Sequence, residues 1–420
     1  MRSAAVLCSA VLVAPVLCAV TPAAASPLAT DAATSTRAAE GDRRVGFHPL
    51  STPATRGGAA ATATRVLTTG VVAVPTDVAV IGVSWVEGTG DGVRLAYRAK
   101  RGGVWSAWED VEVEPCPDCA APGSSSRAGS EAIAVTGATH VEGRLTAGVQ
   151  ATRDPRLAII DPATLGTTGP ARRAAGAPAS VRGGVSAASL AALAPATQAK
   201  RPAKKTKNTV KAIPVPAGLP GPRASMPSKR AEWRASETSE ANSVPGTAPR
   251  GVVVHHTAGT NSYSRSQVPS ILRGIQRFHT QDRGWADIGY NALVDRFGGV
   301  WEGRRGGIGI AHRGAHARGV NEAYLGVSYI GDTNAQPATQ EGVDAMVDLI
   351  GWTSARYGFE PSGTLTVNGA SKPVVAGHYQ VGNTSCPGTD LISRLGDMRS
   401  QASTARADYL AIARSNAGRG

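Results

Sequence analysis

The chain has 420 residues, with 44 Lys and Arg against 31 Asp and Glu for a formal net charge of +13. One hydrophobic core normally organises about 100–150 residues, so this length excludes a single small domain and predicts at least two domains with a connector. Much of the positive excess falls between Arg172 and Arg230, which makes it a local feature and not a basic face spread over a fold.

The first residues read as an export signal. Arg2 precedes an apolar stretch from Ala4 to Val20, and Ala23, Ala24 and Ala25 precede Ser26, giving the charge, apolar run and small-residue site that a signal peptidase cuts. Residues 1–25 are therefore expected to be a signal peptide, because Pro15 interrupts a run already short for a bilayer span of about 20 residues. No later segment is apolar enough to span a membrane, so a secreted or cell-wall location with no transmembrane segment after signal removal is expected. Cleavage removes Cys8 and Cys18 and leaves Cys116, Cys119 and Cys386. In an oxidising compartment the first two can pair, and Cys386 then has either a metal or a buried inert site as its reason to exist.

Residues 26–64, rich in Ala, Thr and Pro, are expected to be a flexible lead. Between residues 65 and 162 short β-branched or aromatic runs, such as Val78 to Trp85, Val93 to Arg98 and Leu157 to Ile160, alternate with turn clusters such as Pro75-Thr76-Asp77 and Arg101-Gly102-Gly103. That spacing predicts an antiparallel β-sandwich-like accessory domain. Nothing in it looks catalytic; Trp85, Trp105 and Trp108 are expected in the core, and Cys116-Pro117-Asp118-Cys119 reads as a local disulfide. Residues 163–225 form an Ala, Gly, Pro and Lys linker carrying Lys200, Arg201, Lys204, Lys205, Lys207 and Lys211. Such a run either stays solvated or, in an exported protein, meets anionic wall polymers before any nucleic acid, which is not an expected partner.

Residues 226–412 interleave strands and helices. Gly251 to Thr257 reads as a strand, Gln267 to Phe278 as a helix with Val268, Ile271, Leu272, Ile275 and Phe278 on one face, and Tyr324 to Ile330 as a strand. Thr339 to Tyr357 follows as a helix ended by Gly358, then Val374 to Gly377 as a strand and Asp390 to Met398 as a helix. The expected class is α/β, a mixed sheet flanked by helices. Few apolar residues in the linker predict that the chain from about 226 onward folds and works alone.

Strand ends are where open α/β sheets place ligands. One strand delivers His255 and His256 there, another delivers His378, and Cys386 follows eight residues on. A soft thiolate with imidazoles suits zinc, and three donors leave a fourth position for water. Because side chains alternate along a strand, only one of His255 and His256 can serve a given site.

Arg230-Ala231-Glu232-Trp233, Val254-His255-His256-Thr257-Ala258, Asp287-Ile288-Gly289-Tyr290-Asn291, Trp301-Glu302-Gly303-Arg304, Gly314-Ala315-His316, Gly326-Val327 and Cys386-Pro387-Gly388 occur in that order. In this the chain from about Ser228 to Met398 resembles peptidoglycan recognition proteins and phage lysozyme-type N-acetylmuramoyl-L-alanine amidases. The resemblance implies that His255, His378 and Cys386 hold Zn2+, with Tyr290 beside the bound water; Tyr290 or Thr384 is then the expected donor to the developing oxyanion, and His316, ahead of His256, the expected substrate contact. It implies hydrolysis of the amide joining N-acetylmuramic acid to L-alanine in peptidoglycan, or, for a non-catalytic member, binding of muramyl peptide alone. Phage-type enzymes have Lys where this chain has Thr384, which can only hydrogen-bond. Glu302 is a rival general base, and His312 a bland surface or lining residue. Trp105-Ser106-Ala107-Trp108 and Ile160-Asp161-Pro162 resemble, more weakly, an accessory domain of exported actinobacterial proteins.

Overall fold

Among the described residues of the first half, β-branched runs become twelve strands, β1 (Val45–Pro49), β2 (Thr64–Thr68), β3 (Val72–Ala73), β4 (Val78–Val86), β5 (Arg94–Arg101), β6 (Val104–Trp105), β7 (Glu109–Val111), β8 (Val113–Glu114), β9 (Ala128–Ser130), β10 (Ile133–Thr136), β11 (His140–Gly148) and β12 (Arg153–Ile160). This is a computed structural model, and it describes residues 45–51, 64–86, 92–114, 127–148, 152–162, 216–223, 228–236, 247–309 and 312–419. The expected signal peptide, most of the lead, the Cys116 to Cys119 loop and nearly all of the linker lie outside them.

The strands form two six-stranded antiparallel sheets, one ordered β1-β12-β4-β9-β8 with β10 on β4, the other β2-β11-β5-β6 with β3 on β11 and β7 on β5. Alternation along β4 sends Ala79, Ile81, Val83 and Trp85 into the core between the sheets. Its other face, Val78 and Val80, is buried too, in a cluster that includes Ala134 of β10 and Ala158 and Ile160 of β12. One element corrects the expected flexible lead: Val45–Pro49 is a strand, paired with β12 from Val45↔Ile160 to Pro49↔Arg156.

The second half builds a five-stranded sheet from β13 (Gly251–His256), β14 (Ala292–Val294), β15 (Val300–Glu302), β16 (Tyr324–Tyr329) and β19 (Val375–Gly377), in the order β15-β14-β16-β13-β19. A separate hairpin of β17 (Thr364–Val367) and β18 (Ala370–Pro373) completes the strands. β13 runs parallel to β16 and β19, and only β15 is antiparallel to its neighbour, so the sheet is mixed. The helices are α1 (Val268–Arg277), α2 (Gln340–Tyr357) and α3 (Thr389–Ala417). Thr339 caps α2 by accepting the Gly342 N–H, and Gly358 ends it in the left-handed region at φ 80°. Val252 and Val254 pack with α2 and α3 on one face of the sheet. His255, in register with Ser328 and Leu293, therefore projects to the other face, where Leu293 packs with α1.

α1 is buried on more than one side. Ile271, Leu272, Ile275 and Phe278 share one apolar cluster with Val78, Val80, Ala134 and Ile160 of the sandwich. A Cβ on Gly82 would stand 2.3 Å from the Phe278 ring, so β4 and the helix end approach as closely as they do because this residue is Gly. Arg277 donates to the Asp161 carbonyl at 2.7 Å, and Arg156 pairs with Asp282 at 2.7 Å, closing the rim. Each buried Leu, Ile or Phe contributes about 1.5–3 kcal/mol, against about 5–15 kcal/mol of total stability for a folded domain. The packing thus departs from the expected independence of the second half: among the described residues the contact runs through α1 and β4. Asp42–Gly420 form one unit by their contacts.

Candidate metal centre

Parallel pairing of β13 with β19, Val254 opposite Gly377, brings His255 and His378 to adjacent strand ends, with ring centroids 4.5 Å apart. After β19 the chain folds back, and the Tyr379 N–H donates to the Cys386 carbonyl at 2.8 Å, which returns the thiol to the strand ends. There the His256 N–H points at Cys386 Sγ, 3.4 Å away. The donor atoms of His255, His378 and Cys386 lie within 4.8 Å of one another, all buried.

These residues fit a zinc ion. Cys386 Sγ is 3.6 Å from His255 Nδ1. Two ligands at Zn–S and Zn–N bond lengths subtending a tetrahedral angle would be about 3.6 Å apart. His378 Nδ1 is buried without a hydrogen-bond partner, as a nitrogen reserved for a metal would be. His316 fixes the tautomer: His255 Nε2 is 3.0 Å from His316 Nδ1, and His316 Nε2 is 3.3 Å from the Tyr324 carbonyl. A carbonyl only accepts, so His316 donates through Nε2 and accepts at Nδ1, His255 donates through Nε2, and the His255 Nδ1 lone pair faces the cluster. Gly326 makes room for this, since a Cβ there would lie 2.4 Å from the His316 ring. Burial, helped by the neighbouring imidazoles, holds His255 well below its usual value, and burial pulls His316 to about 3 and His378 to about 4. All three rings are neutral at neutral pH, so His255 and His378 can each offer a lone pair to a metal.

Of the other expected residues, Tyr290 lies beside the cluster with its ring centroid 5.3 Å from His255. Its hydroxyl donates to Glu131 of the sandwich at 2.7 Å. Thr384 accepts the Cys386 N–H at 3.0 Å and donates to Glu112, also of the sandwich. Burial raises the Glu112 carboxyl, but hydrogen bonds from Ser385 and Thr384 outweigh it and leave the group below its usual value. His316 is both a ring partner of His255 and part of the wall of a cavity of about 50 Å³ lined also by Glu112, Glu131, His378 and Thr384. His256 points to the opposite face, where its Nδ1 accepts the Thr333 N–H at 3.2 Å. Glu302 is remote, on β15 at the sheet edge, accepting the Gly306 N–H at 3.0 Å. His312 is not in the cavity wall. Glu112 and Glu131 were not legible as site residues; the one signal was a carboxylate in Ser130-Glu131-Ala132-Ile133, at the mouth of an apolar strand.

An open mixed sheet with two imidazoles and a thiol converging at parallel strand ends defines an α/β domain with a three-donor candidate metal centre. Residues 245–389 match the family described as N-acetylmuramoyl-L-alanine amidase. Peptidoglycan-recognition protein SC2 of Drosophila melanogaster is 34% identical over 166 residues, 39% of this chain and 80% of that protein. Human peptidoglycan recognition protein 3 is 34% identical over 164 residues, 39% of this chain and 43% of that protein. Among solved structures, wild-type Drosophila PGRP-LB aligns with 28% identity and a TM-score of 0.35, covering 40% of this chain and 91% of that one. The chain belongs to the peptidoglycan recognition protein and N-acetylmuramoyl-L-alanine amidase family.

Proposed function

We propose that the protein is an exported, zinc-dependent N-acetylmuramoyl-L-alanine amidase of peptidoglycan, with residues 226–412 carrying the metal and residues 65–162 docked against them. The observation that carries this reading is the His255, His378 and Cys386 cluster, whose donors are neutral or soft and of which His378 lines a cavity. Zinc bound there supplies Lewis acidity to a water and to the amide carbonyl. The chain's own residues then orient: His316 holds the His255 ring, and the Tyr290 ring stands beside the cluster with its hydroxyl held by Glu131. Thr384 holds the backbone of Cys386. A cavity of about 50 Å³ holds a water or two, whereas small-molecule sites run to about 300–1,000 Å³.

The test is amine release from a muramyl peptide by the full chain, together with zinc content. His255→Ala, His378→Ala and Cys386→Ser are each expected to lose zinc and activity together. Stoichiometric zinc and normal turnover in Cys386→Ser would remove the third ligand. Muramyl-peptide binding by the zinc-loaded protein without amine release would instead identify a non-catalytic recognition protein.

A further inference from the structure

Glu131 belongs to the sandwich, yet its carboxylate reaches the site of the other half. Oε2 accepts the Tyr290 hydroxyl at 2.7 Å, and the side chain lines the same cavity as His378 and His316. Its placement is rigid. Arg283, fully buried just after α1, donates from Nε to the Arg127 carbonyl at 2.8 Å and from Nη1 to the Ser130 carbonyl at 2.7 Å, while its own carbonyl accepts the Arg127 N–H at 3.0 Å. The second half thus clamps the backbone on which Glu131 sits, and Ala132 and Ala134 just beyond it are in the shared apolar cluster. This is the construction of a site part: a buried, hydrogen-bonded carboxylate held across the contact of the two halves, lining a cavity that His378 of the candidate cluster also lines.

We propose that Glu131 is a catalytic acid/base of the amidase reaction, delivered across the domain boundary, with Tyr290 as the residue that orients it. The inference rests on the amidase reading above. As the water oxygen bonds to the lactyl amide carbonyl carbon, the water proton passes to the Glu131 carboxylate. When the C–N bond breaks, its electron pair goes to nitrogen, which takes that proton from Glu131; the products are the lactyl carboxylic acid and the free amine of the L-alanyl peptide, and Glu131 is again a carboxylate. Such a group works best with a pKa near the working pH. Burial pushes the Glu131 carboxyl up to about 7, opposed by the Tyr290 hydrogen bond and the Arg283 charge and aided by Glu112. Tyr290 and Arg283 from the second half, Glu112 from the sandwich, and His316, His378 and Arg318 on the cavity wall are the groups that face it.

The experiment uses the full zinc-loaded chain and Glu131→Gln, whose amide oxygen keeps the Tyr290 bond and the packing. Zinc per chain and calorimetric affinity for a muramyl peptide are expected to stay within about twofold of the parent. Turnover falls about 10²–10⁴-fold, and the rising limb of the pH profile disappears. Independently of activity, the infrared band of a protonated carboxyl that titrates near pH 7 is expected in the parent and absent from the variant. Should Glu131→Gln fail to fold, Glu131→Asp carries the comparison, with reduced turnover and the pH limb retained. Unchanged turnover and pH limb would overturn the proposal, and so would faster turnover, which would make the carboxylate an obstruction. A parent that binds muramyl peptide and releases no amine would overturn the amidase reading itself, before any variant is compared.

Discussion

Gly82 and Phe278 lie in opposite halves of the chain, and a double-mutant cycle on them tests whether those halves share a core. In Gly82→Ala the new methyl would stand 2.3 Å from two ring atoms of a fully buried phenyl, so either the ring or β4 must shift. Overpacking of this kind costs about 1–3 kcal/mol. Loss of glycine freedom in the unfolded chain offsets about 0.4–1 kcal/mol of that, leaving a net destabilisation of about 1–2 kcal/mol. Phe278→Ala alone leaves a cavity and costs about 3–5 kcal/mol. With the ring gone the Gly82→Ala methyl has room, so in that background it is expected to be neutral or slightly stabilising, a coupling of about 2 kcal/mol. Urea unfolding of the full chain, followed by tryptophan fluorescence and far-UV circular dichroism, measures all four corners. Additivity within about 0.5 kcal/mol, or two transitions each responding only to the substitution in its own half, would refute the shared core.

Tyr290→Phe is expected to keep stoichiometric zinc, to lower kcat about 10²–10³-fold, and to cost about 1–3 kcal/mol of stability because the buried Glu131 carboxylate loses this donor; unchanged kcat would take the phenol out of the reaction. His316→Ala, which removes the acceptor of the His255 Nε2–H, should weaken zinc binding about 10–100-fold in competition with a chelator, while leaving the fold intact. The pH prediction follows from burial of His378 to about 4 and His316 to about 3. Between those values and the ordinary 6.5 the unfolded chain binds more protons than the folded one, so stability of the zinc-free protein is whole above pH 6.5 and falls as the pH drops through 4. At about 1.4 kcal/mol per pH unit for each ring the loss reaches several kcal/mol; a urea midpoint flat from pH 7 to 4.5 would contradict it.

Much of the second half was legible because its signals are local. The helical spacing of Ile271, Leu272 and Ile275, the Thr339 cap and Gly358 stop of α2, and the strand leading to His255 all act within a few residues. The grouping of His255, His378 and Cys386 was legible for the same reason, each standing at a strand end or a short step beyond one. α3 runs to Ala417, beyond the expected Met398, because its buried stripe of Ala402, Tyr409 and Ala413 is sparse and partly made of small residues. β1 was hidden because it contains Gly and Pro and exists through pairing with β12 at the far end of the sandwich. The contacts of Glu131 with Tyr290 and of Glu112 with Thr384 join segments whose proximity no local pattern encodes. One trace of the interface was in the sequence all the same: Val78 to Trp85 is nearly continuous in apolar residues where a half-exposed strand would alternate, which marks a strand covered on both faces.

The surface contact between the halves bears on how such a chain can change over generations. Exchange of modules is not free. A recombinant carrying residues 226–420 into a new context would present Ile271, Ile275 and Phe278 without the β4 and β10 surface that covers them, and a foreign sandwich lacking glycine at the Gly82 position would not seat against the ring. The two halves are expected to be inherited together.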